Sequence, residues 1–320
     1  MRRILCIALL VLVVLLIVAY AGMGYVVYNK LTDVEGSCDE HLANHPDLFY
    51  LHPEWPPLDV SPYFMAEYEP VRFPSRQEGI SIAGWWIEND PNAPAVILVD
   101  GLGGCKNSIA VLVPAGMLWR NGFNVLMIDL RDTGDSDYED GRSAIGNEEY
   151  QDVLGAWDWL VEVKGFAAER VGLFANSLGG ATALYAFSEE PRVAAIFLQS
   201  TFGNLQQVIA EELKRNGYPA FLSPGAIVMG RVVSGDNLVA HDPISAIEKA
   251  GPRPVYIVHS RADTRIAVEQ SEQLAAAARE AGVNVTTWFP DQSEHVRTPA
   301  VYPEEFERRM TDFFREALGR

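Results

Sequence analysis

The sequence has little cysteine, a deficit of basic charge and no block of like charges, and each shortage narrows what the chain does. Three cysteines in 320 residues are too few for a disulfide framework, and none stands in a Cys/His cluster with metal-ligand spacing, so no structural metal is expected. Cys6 lies in an apolar run, which leaves Cys38 and Cys105 either as two free thiols or as a pair in an oxidising compartment. Lys and Arg number 25 against 43 Asp and Glu, a net charge of −18. Phosphate backbones are bound by clustered basic groups, so a nucleic-acid partner is excluded. The acidic residues are spread along the chain, the pattern of a solvated surface rather than a tail. G-x-G-x-x-G is absent, and the Gly-rich stretch at 100–104 lacks the Lys-Ser/Thr pair of a P-loop, so neither a nucleotide nor another cofactor is expected. No internal repeat is visible.

What is present begins with a long hydrophobic run. After Arg2 and Arg3, residues Ile4 to Asn29 carry no charge, long enough at ~1.5 Å per residue to cross a ~30 Å hydrocarbon core. Residues 1–29 therefore read as a transmembrane anchor. The two arginines on the short leading side favour a cytoplasmic N-terminus, with the large domain on the non-cytoplasmic face of the cell membrane. The competing reading is a cleaved signal peptide, for which Ala19-Tyr20-Ala21 offers a small-residue site. Residues 30–62 read as a connector. The prolines of "LHPEWPPLDVSP" oppose regular structure there, and the aromatic residues suggest a segment lying on the domain.

From about Tyr63 to residue 320, apolar β-branched runs alternate with helical patterns: "YEPVRF", "ISIAGWWIE", "AVILVDG", "NVLMIDL", "VGLFANS", "AAIFLQS", "PVYIVHS" and "NVTTWF". Continuous apolar strands separated by helices indicate an α/β fold with a mostly parallel central sheet covered on both faces. In such sheets ligands gather at the carboxyl ends of the strands.

Those ends carry the chemistry. In "VGLFANSLGGAT" a buried strand runs into a helix of small residues, with Ser177 on the bend, the geometry of a nucleophile elbow. "PVYIVHS" is followed by Asp263, and "NVTTWF" by the loop holding His295. A serine hydroxyl is a poor nucleophile until a histidine takes its proton, and the histidine needs a carboxylate to fix its tautomer. Ser177, Asp263 and His295 follow three different strands in the order that this chemistry takes on such sheets. Each has a plainer role open to it. Asp263 is placed to cap a helix starting near Ile266, His295 to be an exposed loop residue, and His259 is the rival base. Its strand-end position favours a buried structural role. His41, His45 and His52 precede the sheet, and His241 lies in an insertion.

Residues from about 65 onward resemble the α/β-hydrolase superfamily, in particular its small-lid serine hydrolases and esterases. "VDGLGGCKNS" is similar to the oxyanion loop, "DLRDTGDSD" to the family's turn after the next strand, "SRADTRI" to the acid loop, and "SEHVRTPAVYPEEFERRMTDFF" to the histidine loop and last helix. The resemblance implies backbone amides of Leu102 and Leu178 as the oxyanion hole. Three positions depart from the family pattern: Asp100 where histidine is usual, and Ala175 and Asp132 where glycine is usual. A carboxylate at 100 opposes developing negative charge unless it is turned away.

Residues 201–253, between two strands, contain a helical pattern from Leu205 to Asn216 and the apolar stretch "YPAFLSPGAIVMGRVV". They read as a small helical lid over Ser177 or, equally, as ordinary helix packing. The expected function is a membrane-anchored serine hydrolase acting on a small-molecule or acyl, lipid-like ester. An acyltransferase or serine peptidase on the same triad, or a catalytically silent scaffold, are the alternatives.

Overall fold

In the computed structural model, which describes residues 2–38 and 43–319, all eight apolar runs are strands of one sheet. His41 lies outside the described residues. The strands are β1 (Glu69–Pro74), β2 (Ser81–Ile87), β3 (Ala95–Val99), β4 (Asn124–Ile128), β5 (Val171–Asn176), β6 (Ala195–Gln199), β7 (Pro254–Val258) and β8 (Asn284–Trp288). Their order across the sheet is β1-β2-β4-β3-β5-β6-β7-β8. β1 pairs antiparallel with β2, and β2 antiparallel with β4; every pairing from β4 to β8 is parallel. Every residue of β3, β4, β5 and β6 is buried, as expected where helices cover both faces.

The helices are α1 (Arg2–Thr32), α2 (Ile109–Arg120), α3 (Tyr150–Asp158), α4 (Ser177–Glu189), α5 (Leu205–Arg215), α6 (Ser223–Val233), α7 (Pro243–Glu248), α8 (Val268–Glu280), α9 (Thr298–Val301) and α10 (Pro303–Leu318). Sequence dictates which face each one buries. In α10, Phe306, Met310 and Phe314 recur every fourth residue and are fully buried, while Arg308 and Arg309 form ion pairs with Glu305 and Asp312 on the outer face. Phe197 of β6 stacks on Tyr256 of β7 at 4.6 Å and receives the edge of Phe306 at 5.7 Å. Each such fully buried side chain contributes ~1.5–3 kcal/mol of apolar transfer.

Helix α1 is long and apolar enough to cross a membrane by length and composition. Its first half, through Val18, is exposed all round. Its last turns are not: Val27 and Tyr28 are buried in the main core cluster, and the helix continues to Thr32, three residues beyond the expected anchor boundary. The following segment is also fastened down. Cys38 is bonded to Cys105, and Phe49 is fully buried.

Residues 201–253 hold α5, α6 and α7 between β6 and β7. The helix expected from Leu205 to Asn216 runs from Leu205 to Arg215, with Asn204 accepting the Gln207 amide as its cap.

Candidate active site

Ser177 sits where β5 ends and α4 begins, with φ of 51°, the left-handed region that non-glycine residues adopt only under constraint. The constraint is packing on every side. Ala175 is fully buried in the strand, Asn176 is tied to the Ala110 carbonyl at 2.8 Å, and Gly179 lies against the Asp100 backbone with no room for a Cβ. The side chain that results points out at the carboxyl edge of the sheet.

His295 Nε2 lies 2.9 Å from Ser177 Oγ, and His295 Nδ1 lies 2.7 Å from Asp263 Oδ2. The structure thus brings together the three residues singled out in the sequence, from the ends of β5, β7 and β8. The loops are fastened to one another. Ser260 Oγ accepts the Ser293 amide at 2.9 Å, Thr264 Oγ1 donates to Glu294 at 2.7 Å, and Ser200 Oγ accepts the Val296 amide at 3.3 Å.

Asp263 does not cap the helix considered for it: α8 begins at Val268, with Ala267 as an N-cap residue that makes no side-chain bond, and Asp263 instead ties the bend before it. Oδ1 accepts the amides of Arg265 and Ile266 at 2.9 and 3.0 Å, while Oδ2 faces His295. Its side chain is wholly buried. Burial works to raise the carboxyl, but hydrogen bonds from His259 and His295 outweigh it and hold the group well below the usual carboxylate range. Burial lowers His295 below the ordinary histidine value, against the opposing pull of the Asp263 hydrogen bond and charge. A neutral imidazole between a hydroxyl and an ionised carboxylate is equipped to take a proton.

The Gly-rich loop after β3 closes over this serine. A Cβ on Gly101 would stand 3.0 Å from Ser177 Cβ and 3.5 Å from its Oγ, so glycine lets the backbone leading to Leu102 pack closely on the serine. The Leu178 amide is in the first turn of α4, where amides have no intrahelical acceptor. Asp100 is turned back into its own loop. Its Oδ1 accepts the Gly101 amide at 2.7 Å, and its carboxylate packs against Gly104, where a Cβ would collide with it.

The loop after β4 supports the Gly-rich loop from below. Asp129 is fully buried and accepts the Lys106 and Asp135 amides at 2.8 and 2.9 Å, with Lys106 Nζ paired to it. Asp132, where glycine is usual, adopts φ of 62° and uses Oδ1 to accept the amides of Glu139, Asp140 and Gly141. Aspartate tolerates that backbone because its short side chain bonds locally.

Two cavities meet at Ser177, Leu102 and Arg265. One, of about 150 Å³, runs under the lid between Phe202, Val208 and Ile209. The other, of about 540 Å³, is polar and bordered by His52, Trp55 and Arg297. The apolar cavity is also walled by Lys30 and Leu31 of α1, which the sequence reading did not place at the site. The signal was the spacing of Tyr20, Gly24 and Tyr28, one face of an otherwise aliphatic helix. His259 is buried away from Ser177, with Nδ1 2.7 Å from Ser271 Oγ and Nε2 2.9 Å from the Ile266 carbonyl. Among the described residues no cluster of His, Cys, Asp and Glu has metal-binding geometry.

Residues 115–320 match the Prolyl oligopeptidase family. An uncharacterized 31.7 kDa protein of Escherichia coli, from a traX-finO intergenic region, is 29% identical over 148 residues, 46% of this chain. The chain spans about half that relative's length, 50%. The uncharacterized protein YfhR of Escherichia coli is 26% identical over 262 residues, 78% of this chain and 82% of YfhR. Among solved structures, an esterase of Pyrococcus furiosus superposes with a TM-score of 0.66 at 23% identity, over 82% of this chain and 96% of that one. The acylaminoacyl peptidase of Pyrococcus horikoshii superposes with a TM-score of 0.60 at 18% identity, over 79% of this chain and 42% of that one.

Proposed function

The chain belongs to the prolyl oligopeptidase family, within the α/β-hydrolase superfamily, and from that premise we propose that it is a membrane-anchored serine hydrolase cleaving a carboxylic ester at Ser177. The observation that carries this reading is the unbroken hydrogen-bond chain from Ser177 Oγ through His295 to Asp263. Ser177 Oγ attacks the ester carbonyl while His295 Nε2 takes the hydroxyl proton. The carbonyl electrons move onto oxygen, and the amides of Leu102 and Leu178 receive that charge. Collapse expels the alcohol, which leaves with the proton from His295. Water, deprotonated by the same nitrogen, then releases the acid from Ser177. The apolar cavity suits the acyl part and the polar cavity the alcohol.

Residues 1–29 act as the anchor and 63–320 as the hydrolase domain, held on the non-cytoplasmic face. The leading Arg2 and Arg3 favour that orientation, and the Cys38–Cys105 bond suits an oxidising compartment. The family match favours a second reading, in which the same residues cleave a peptide bond.

The test is covalent labelling by a fluorophosphonate probe together with turnover of nitrophenyl esters and peptide anilides. Labelling that disappears in Ser177→Ala, with ester turnover exceeding amide turnover, supports the esterase. The reverse preference supports the peptidase, and labelling that persists in Ser177→Ala overturns both.

A further inference from the structure

The anchor helix and the lid share an interface that leads to the nucleophile. Tyr20 Oη donates to the Phe221 carbonyl at 2.9 Å, Gly24 meets Gly225 so closely that a Cβ would stand 2.8 Å from its carbonyl carbon, and Tyr28 Oη donates to Ser234 Oγ at 2.8 Å. These three contacts, in rising order on both elements, set α1 and α6 side by side and running in the same direction. Twenty residues at ~1.5 Å each carry α1 from Ile4 to about Met23 across a ~30 Å hydrocarbon core. Tyr20 then lies in the interfacial zone where tyrosines anchor. Phe221, 63% exposed, stacks on the Tyr20 ring and shares its depth. The leading end of the lid therefore lies in the bilayer surface.

A third cavity, of about 40 Å³, lies between Val27, Leu213, Asn216 and Tyr218. It shares Lys30, Leu31 and Glu212 with the apolar cavity at Ser177. The two follow one another along α1. The outer one begins at Val27, about one helical turn beyond the membrane boundary, and the inner one ends at the nucleophile. Apart from Lys30, Glu212 and Asn216, and from Arg265 and Ser177 at its inner end, the walls of this route are apolar or aromatic. Lys30 is folded back over the Tyr218 ring, 5.5 Å from its centre.

We propose that the substrate is a single-chain acyl ester resident in the bilayer, whose chain lies along α1 through these two cavities with its carbonyl at Ser177. This inference rests on the ester-hydrolase reading and adds the source and shape of the substrate. A chain that keeps its tail against α1 and the lid exchanges one apolar surrounding for another, so it reaches Ser177 without passing through water.

The experiment uses the full chain in vesicles of palmitoyl-oleoyl phosphatidylcholine carrying nitrophenyl palmitate or nitrophenyl butyrate. Leu31→Trp fills the junction of the two cavities, and Asn216→Trp narrows the outer one from an exposed position. Each variant is expected to lower the palmitate-to-butyrate ratio of kcat/KM, by at least tenfold for Leu31→Trp. The ratio is read within each variant, so a general loss of folding cancels. Turnover of both esters with the ratio unmoved in both variants overturns this inference alone. Failure of the wild type to turn over either ester or to be labelled at Ser177 overturns the ester reading and this inference with it.

Discussion

His259 Nε2 lies 3.1 Å from Asp263 Oδ2, the same oxygen that His295 Nδ1 meets at 2.7 Å, so one carboxylate oxygen serves two histidines. Ser271 Oγ donates to the Thr201 carbonyl at 2.6 Å and therefore accepts from His259 Nδ1, while Nε2 faces two acceptors. Both ring nitrogens of His259 are therefore held by buried partners. His259 thus stands behind the acid, where His295 stands in front of it.

That division separates two substitutions. His295→Ala removes the base and is expected to lower kcat by ~10⁴-fold or more. His259→Ala leaves Ser271 and Ile266 without their partner in the interior and is expected to cost ~1–3 kcal/mol of stability, with a far smaller loss of kcat. Thermal unfolding and steady-state turnover on the same two variants decide. Near-normal turnover in a folded His295→Ala protein would transfer the base to His259.

The pH dependence follows from the direction of the His295 shift. The ring works as a base only when neutral, and burial lowers its value below 6.5. As pH falls, neutral His295 therefore persists past the point where an ordinary histidine would protonate. The acid limb of kcat/KM is expected below pH 6.5. Asp263, held well below the usual carboxylate range, stays ionised across the working range and adds no limb of its own. A profile whose acid limb centres at pH 7 or above contradicts this picture.

Gly101→Ala tests the oxyanion loop without replacing a triad residue. The added methyl would press on Ser177 Cβ at 3.0 Å, so the loop carrying the Leu102 amide must shift. Loss of one oxyanion donor costs ~10²–10³ in kcat, and a fall of that size is expected with little change in unfolding temperature. A variant with wild-type kcat would remove Leu102 from the oxyanion hole.

The Cys38–Cys105 bond closes a loop of sequence separation 67 and binds the connector to the Gly-rich loop. Ser37 also packs against Gly103, which has φ of 66°. The loop-closure relation gives about 4 kcal/mol for a ring of this size. Cys38→Ser is expected to lower the unfolding free energy by an amount of that order, read as a lower denaturant midpoint, and to reduce turnover, because the released segment supports the loop over Ser177. A denaturant titration showing an unchanged midpoint would count against the disulfide as a stabilising element.

The sheet and the site were legible for different physical reasons. Buried parallel strands must be apolar throughout, so "AVILV" and "VGLFAN" announce themselves without knowledge of their neighbours. Ser177, Asp263 and His295 stood out as candidates because strand ends are where this architecture exposes side chains, and each follows an unmistakable strand. Asp132 reads as a departure from glycine. Its three accepted amides, which compensate for the left-handed backbone, are visible only once the 132–141 loop is folded. The role of Lys30 and Leu31 was hidden because membrane-spanning length and apolar content say where a helix can go, not which of its turns pack against a lid. The cysteine pair was left open for a similar reason: a spacing of 67 residues says nothing about the 5.9 Å between the two α-carbons.

Helix α1 makes the last prediction, and the fold sharpens where it must be cut. The part of α1 that is exposed all round ends near Tyr20; beyond it one face stays exposed through Met23, Tyr25 and Val26, whereas Val27, Tyr28, Val34 and Phe49 are almost completely buried. A chain starting at Gly22 keeps every one of these residues and the Cys38–Cys105 bond, so it is expected to be soluble, folded and active on short-chain esters. A chain starting at Tyr63 loses them all. It exposes the core against α6 and removes one wall of the cavity at Ser177, and is expected to aggregate or to unfold at a much lower temperature. The full chain should remain in the membrane pellet after alkaline carbonate extraction and be cut by protease added to intact cells. Recovery of the expressed full chain in the soluble fraction, with Gly22 as its first residue, would establish the first 21 residues as a cleaved signal. A Tyr63 chain as stable as the Gly22 chain would show that the last turns of α1 are dispensable to the fold.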